Sequence, residues 1–543
     1  MRARLFWTGV LALGAYGAPL SAAPVSSISQ YGITWTFDKP YEAGQFATGD
    51  YWVVGPVTIT AVSPAPAGGR NGSAVDPRGG HQGYDDRGGE YDTAENVSFP
   101  HTFAPDLSLV SSVSKPEGAE IKNAGCLQSQ AVLTIVAAPQ PEGTLRPSYA
   151  GTFKRYFPVA RVDFSILPKL PAPGSKPSGA NLLRYADRPH IDHLSSWTIQ
   201  NSCAEDNWPN GVGHPCYGRD YADFVSQAAL YVMLDTPERN ELALSMIQIG
   251  IDNYGVLKAG GNWAPNGGHH SGRKWPVVFA ARLLNDCDML NVSRDFDADV
   301  FGEDGHTYYS ASSKALFGWD CGGGQGSYFE NGCSGSGAKD CRDPAGQVDA
   351  CPDYRNCCTS SVWVGEMLSA LMLGTKPIWN HDAFFDYVDR WMSGDVSGGG
   401  SAAGAFVGQM WTQYRNALPP APPLPASCGS DAGTGGSAGT GSCGASGGDG
   451  GTGGTTGGNG GSSGSASPGG SSSSGTGQGA RAGTGATSDA GIAGSSGGNA
   501  APSAEDEGGC GCRVIAPTRP GAALLAISGL VLALFSRRRR KRL

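Results

Sequence analysis

The chain has 543 residues, 84 of them glycine, and a formal charge of -9 from 39 basic and 48 acidic side chains. Ten basic residues lie at the ends: Arg2 and Arg4 at one, and eight between Arg513 and Arg542 at the other. The remaining 29 face all 48 acids. So acidic a body excludes nucleic acid held through phosphate contacts, and an anionic substrate there requires a local basic site.

Residues 1–23 read as a secretory signal peptide. Arg2 and Arg4 precede an apolar run from Leu5 to Tyr16, and the small residues Ser21, Ala22 and Ala23 follow. Residues 24–170 carry strand signals: alternating, β-branched and aromatic runs at 33–37, 51–54, 57–60, 131–136 and 159–164, separated by Gly, Pro and Asn clusters. Short strands broken by turn residues predict an antiparallel β-sandwich. A long Gly-rich loop, 64–95, interrupts them.

A proline-rich link, Pro168 to Pro177, opens residues 171–416, where the apolar period becomes helical. Helices are expected from Tyr221 onward, after Pro237, over 272–285 with Ser271 as cap, and over 362–373, 381–392 and 405–414. The fold class is therefore α+β and multidomain, a sandwich followed by a helical-pair α/α barrel or partial toroid. Ten cysteines fall in this exported body, which predicts disulfides. Six of them crowd a Cys-rich insertion at 321–358. Adjacent Cys357 and Cys358 are expected to bond separate partners.

Three constellations carry chemistry. The first runs from Asn262 to Trp275 and holds Trp263, Asn266, His269, His270, Arg273, Lys274 and Trp275 around Gly267, Gly268 and Gly272. Glycines permit close backbone approach, and a following helix start adds N–H groups and partial positive charge. The second comprises Glu303, Asp304, His306, Tyr308 and Tyr309, with Trp319 and Asp320 beyond; the third comprises His214, Tyr217, Arg219 and Asp220. β-Elimination on a uronate needs cations or amides for the carboxylate, a base and an acid. Arg273, Lys274 and Asn266 suit the first task. His269 or His270 suits the base, Tyr308 or Tyr309 the acid, and His306 lies among the acids and phenols. Trp263, Trp275, Trp319, Asp320 and Arg219 are expected to bind sugar. Hydrolysis instead needs two carboxylates, for which Glu303, Asp304, Asp320 and Asp220 are candidates. A glycan-binding protein without catalysis would use the tryptophans alone. No cofactor is expected. A metal at His269, His270 and His306 is disfavoured because adjacent histidines point apart.

Of the 84 glycines, 31 fall between Ala421 and Gly509. Residues 417–509 thus read as a disordered Pro/Gly/Ser linker, which cannot bury enough apolar surface to offset its ordering entropy. About 90 such residues reach about 50 Å. Residues 510–543 hold Cys510 and Cys512, an apolar stretch at 520–536 read as a transmembrane helix, and a terminal basic cluster. Gly509-Cys510-Gly511-Cys512, the apolar helix and the arginine cluster resemble the myxobacterial C-terminal sorting domain. That resemblance implies processing at Cys510 or Cys512 by a myxosortase-type intramembrane protease. It also implies transient anchoring in the inner membrane through the tail, then display at the outer surface, on the outer membrane. The helical body is loosely similar to secreted α/α-toroid polysaccharide-processing proteins, in which His, Tyr, Arg and Asn sets perform elimination. The expectation is an exported, surface-displayed polysaccharide lyase acting on uronate glycans, with a glycoside hydrolase or a non-catalytic glycan binder as alternatives.

Overall fold

The computed structural model of the chain describes residues 24–118, 125–194, 203–209, 216–318 and 348–424. The signal peptide, His214, Trp319, Asp320, the linker and the sorting tail with Cys510 and Cys512 lie outside them. No helix among the described residues is long and apolar enough to cross a membrane.

The architecture is α+β. Strands β1 (Val25–Gln30), β2 (Ile33–Tyr41), β3 (Ala43–Gln45), β4 (Tyr51–Val54), β5 (Val57–Ser63), β6 (Ser73–Val75), β7 (His101–Phe103), β8 (Leu107–Ser114) and β9 (Leu127–Val136) form two sheets. Their orders are β1-β2-β5-β7 and β3-β4-β9-β8-β6. Pairing is antiparallel except between β4 and β9, which run parallel from Tyr51 beside Leu133 to Val54 beside Val136. The alternation in β2 puts Ile33, Trp35 and Phe37 on one face. They share a core with Leu109, Ala131, Leu133 and Ile135 of the other sheet. The indole N–H of Trp35 donates to Ser111 Oγ at 3.0 Å across that core.

The five-stranded sheet is buried on both faces, which explains why β9 is apolar almost throughout. Val110, Leu127 and Val132 point away from the first core into a second, built with the helices. These include α1 (Gly179–Ala186), α2 (Gly218–Tyr231), α3 (Arg239–Lys258), α4 (Lys274–Leu284), α5 (Gly302–Gly305), α6 (Val364–Met372), α7 (Asp382–Ser393) and α8 (Gly404–Tyr414). Close pairs include α3 with α4 and α2 with α6.

Two local expectations are overturned. Residues 159–164 form no strand. They make 3-10 turns at Val159–Arg161 and Phe164–Ile166. Their polar groups finish α4 instead. Asp163 N donates to Leu283 O at 3.0 Å, and Arg161 Nε donates to Leu284 O at 2.8 Å. Ser271 does not cap α4, whose N-cap is Arg273 with no side-chain capping bond. The loop 64–95 contains β6 and is held by its own bonds, such as Gln82 Nε2 to Asp85 O at 2.8 Å. It also reaches the helical part, where Gly80 N donates to His193 O at 2.8 Å.

Candidate active site

The Asn262–Trp275 segment turns inward before α4, so its largest side chains enter the core. Trp263 is buried. Its indole N–H donates to Asp192 O at 3.1 Å, and its ring stacks on Phe301 at 6.1 Å. Trp275 is buried and stacks on Phe279 at 4.5 Å. Neither presents a face to a sugar. Arg273 Nε donates to Asp192 Oδ2 at 2.8 Å, and the guanidinium lies 4.3 Å over the Tyr221 ring. Lys274 pairs with Asp304 and donates to Trp379 O at 2.7 Å. Both cations are buried. Their charge is spent holding the loop to its neighbours, which accounts for two basic residues where a helix start ordinarily favours acids.

The solvent side is formed by other groups. Asn266, His269 and Arg219 are half-buried. His269 N donates to Asn266 O at 3.1 Å. The rings of Tyr217 and His269 meet edge to face, centroids 5.2 Å apart at 83°. Gly218, the first residue of α2, permits this contact: a Cβ there would overlap the His269 carbonyl oxygen. The next residue, Arg219, carries its guanidinium 5.4 Å from the Tyr217 ring centre and pairs with Asp220 at 2.8 Å. The first and third constellations therefore meet at one rim, where Asn266, His269 and Arg219 are half-buried and Tyr217 is buried behind His269. Burial, and then the nearby His270 and Arg273, push His269 down to about 3, so it is neutral near pH 7. Its Nδ1 has no hydrogen-bond partner among the described residues.

A further wall comes from Tyr354 and the π-helical turn Arg355–Thr359. Tyr354 lies against Gly267, and Cys358 against Gly268. Cys357 and Cys358 are bonded to each other, which corrects the expectation of separate partners. Cys203 pairs with Cys216, the residue before Tyr217.

Below the rim lies a buried polar floor. His270 Nδ1 is 2.5 Å from Ala264 O, and His306 Nδ1 bonds Gly302 O. Glu303 Oε1 accepts from Gly272 N, which ties the second constellation to the first. Glu366 enters from α6. Gly365 lacks a side chain, so its N–H reaches Ser226 Oγ of α2 at 2.9 Å and draws the two helices together. Among the described residues, Glu303 Oε2, both Glu366 carboxyl oxygens and Arg273 Nη2 have no hydrogen-bond partner. Burial raises Glu303 to about 7. Burial also raises Glu366 well above its ordinary value, and the neighbouring Glu303 charge adds to the rise.

Tyr308 is half-buried and Tyr309 is 44% exposed on the strand Thr307–Tyr309. The Tyr309 hydroxyl is committed to Asp386 Oδ2 of α7 at 2.5 Å. The phenol in contact with His269 is Tyr217. Two contributors went unseen in the sequence. Glu366 is the single acid in the apolar run Val362–Leu373, and that isolation was the available signal. Asp192 sits in His190-Ile191-Asp192-His193, a cluster of side chains that all prove buried. Among the described residues, no three His, Cys, Asp or Glu side chains stand where one metal ion reaches them.

No protein-family model matches the chain, no curated protein matches it, and no solved structure matches it.

Proposed function

We propose that this chain is an exported, surface-displayed polysaccharide lyase that cleaves a uronate glycan at the rim of Asn266, His269, Tyr217 and Arg219. One observation carries the reading: a neutral histidine in ring contact with a tyrosine, with an arginine on that tyrosine and the backbone of Asn266 bonded to the histidine. Elimination needs each of these. Arg219 and Asn266 receive the uronate carboxylate and stabilise the charge that develops on it. His269, neutral and with a ring nitrogen left over for a proton, takes the C5 proton. The C5–H electrons form the C4=C5 double bond as the C4–O bond breaks. Tyr217 supplies the proton to the leaving oxygen and recovers it from His269, with which it is in ring contact. The helix pairs α2/α6 and α3/α4 are read as an arc of an α/α toroid, with this rim at its mouth. The signal peptide, Gly/Ser stalk and Cys510–Cys512 tail deliver the body to the cell surface.

A second reading, glycoside hydrolysis, rests on the two carboxyls Glu303 and Glu366, whose raised pKa values suit acid/base work. A panel of uronate and neutral polysaccharides separates the two. New ultraviolet absorbance of an unsaturated uronate is expected, and His269→Ala and Tyr217→Phe should each lower kcat about 100-fold or more. Arg219→Ala and Asn266→Ala should raise KM. New reducing ends without that absorbance would transfer the function to the carboxyl pair. Binding without either product would leave a glycan-binding protein.

A further inference from the structure

Gly267 and Gly268 form the turn that leads into His269, and His269 N donates to Asn266 O across it at 3.1 Å. Both glycines are tightly covered. A Cβ on Gly267 would stand 2.5 Å from the Tyr354 ring, and one on Gly268 would stand 2.6 Å from both the Cys358 Cβ and the Tyr217 hydroxyl oxygen. The backbone before His269 is thus clasped between Tyr217 on one side and the π-helical turn Arg355–Thr359 with its neighbour Tyr354 on the other.

That turn is held firmly at its ends. Arg355 Nη1 donates to Asp349 O at 2.9 Å and to Ala350 O at 2.6 Å. Ser360 Oγ lies 2.7 Å from the Tyr387 hydroxyl. The bonds across the turn are longer. Thr359 Oγ1 donates to Tyr354 O at 3.1 Å, and the closing bond from Ser360 N to Arg355 O is 3.3 Å. The middle is constrained covalently. The disulfide between adjacent Cys357 and Cys358 closes a small ring through their shared planar peptide unit, which removes much of the backbone freedom of both residues. Cys358 is buried against Gly268, whereas Cys357 is half-buried. Both cysteines of the Cys203–Cys216 bond are buried, so a reductant in solvent meets Cys357 before either of them.

We propose that the Cys357–Cys358 bond is a positioning element for His269, and that a dithiol which opens it loosens the Gly267–Gly268 turn and lowers cleavage reversibly. This rests on the reading of His269 as the base. The two cysteines act through the glycine turn and do not touch the glycan. The dithiol gives up two electrons and two protons. The S–S bond breaks into two thiols, and the dithiol closes to its own disulfide. An oxidant that takes the electrons and protons back restores the bond and the turn.

The first test needs no variant. Peptide mapping of the native chain without reduction should find Cys357 and Cys358 bonded to each other, and a bond from either to another cysteine overturns the proposal. Treatment with dithiothreitol, followed by alkylation, should label Cys357 and Cys358 before Cys203 and Cys216. At that stage amide hydrogen exchange over residues 266–269 should rise about tenfold, and return on reoxidation. The Cys357→Ala/Cys358→Ala variant keeps a Cβ against Gly268 and lacks only the bond. It should show the same faster exchange without any reductant. On a cleaved polysaccharide its kcat should fall about tenfold or more while KM changes less, because the base is displaced and Arg219 is not. Native exchange over 266–269 in the reduced protein or in the variant overturns the proposal. Faster exchange spread evenly over the whole body, with a matching fall in Tm, makes the bond merely structural and also overturns it. Faster exchange confined to 266–269, with no polysaccharide cleaved by the native protein, would sink the lyase reading and leave the positioning bond intact.

Discussion

His190, His193 and His306 are buried, and burial holds each well below the ordinary imidazole value, His190 and His193 at about 4 and His306 at about 3. The unfolded chain therefore binds protons that the folded chain refuses as pH falls from 6.5 toward 4. Each histidine weakens folding by up to about 1.4 kcal/mol per pH unit in that window. Thermal melts should show Tm dropping steadily below about pH 6.5. Replacing His190 by Phe, which keeps the stack on Trp208 at 5.6 Å, should flatten part of that drop. An unchanged slope in His190→Phe would contradict the assignment. With Glu303 raised by burial to about 7 and losing its contribution on the alkaline side, greatest stability is expected near neutrality. At this scale the sequence was informative about type and poor about exposure. His269, Asn266 and Arg219 lie on the rim as their residue types suggest. Trp263, Trp275, Arg273 and Lys274 have the chemistry to face a ligand, yet they are buried. Local sequence records what a side chain can do. Whether it meets a partner such as Asp192 or Asp304 depends on segments about 80 and 30 residues away.

At the scale of elements, two glycines in helices make opposite predictions. Gly250 lies within α3 where α4 crosses it. A Cβ would overlap the Pro276 carbonyl oxygen and stand 2.7 Å from Ala280 Cβ. Alanine has the better helix propensity by about 1 kcal/mol, but overpacking costs about 1–3 kcal/mol. Gly250→Ala should therefore be destabilising. A methyl group added to Gly408 of α8 would meet nothing within 4 Å, so Gly408→Ala should stabilise by up to about 1 kcal/mol. Urea midpoints of the two variants check the pair, and the same sign for both would refute the packing argument. Helices α2, α3, α6, α7 and α8 were all legible, because a 3.6-residue apolar period survives in one continuous segment. The failure at 159–164 has a clear cause. Its alternating residues have strand character, but the carbonyls of Leu283 and Leu284 at the end of α4 compete for its donors, and only the folded chain brings them there.

Across the whole molecule, the sheets and helices are joined by a buried charge network. Arg146 donates to both carboxyl oxygens of Asp252 on α3 at 2.6 Å and to Asp50, in the turn before β4, at 2.5 Å. One cation thus serves two carboxylates from different layers. Removing it leaves both buried without their partner, a loss of about 3–5 kcal/mol. Arg146→Met should lower the unfolding temperature far more than Arg294→Ala, which breaks an exposed pair with Asp295. Equal effects would mean that the network contributes no more than a surface contact.

The sequence by itself determined the α+β class, the order of strands then helices, the acidic body and the residue types of the candidate rim. These follow from composition and short periodicity, which neighbours in the chain encode. The tertiary structure decided the parallel pairing of β4 with β9, the bond between Cys357 and Cys358, and the burial of Glu366 in the helical core. It also decided which cations are buried in pairs and which stay at the surface. Those outcomes depend on contacts between distant segments, where packing and desolvation set the balance of each charge, and no local pattern carries that information.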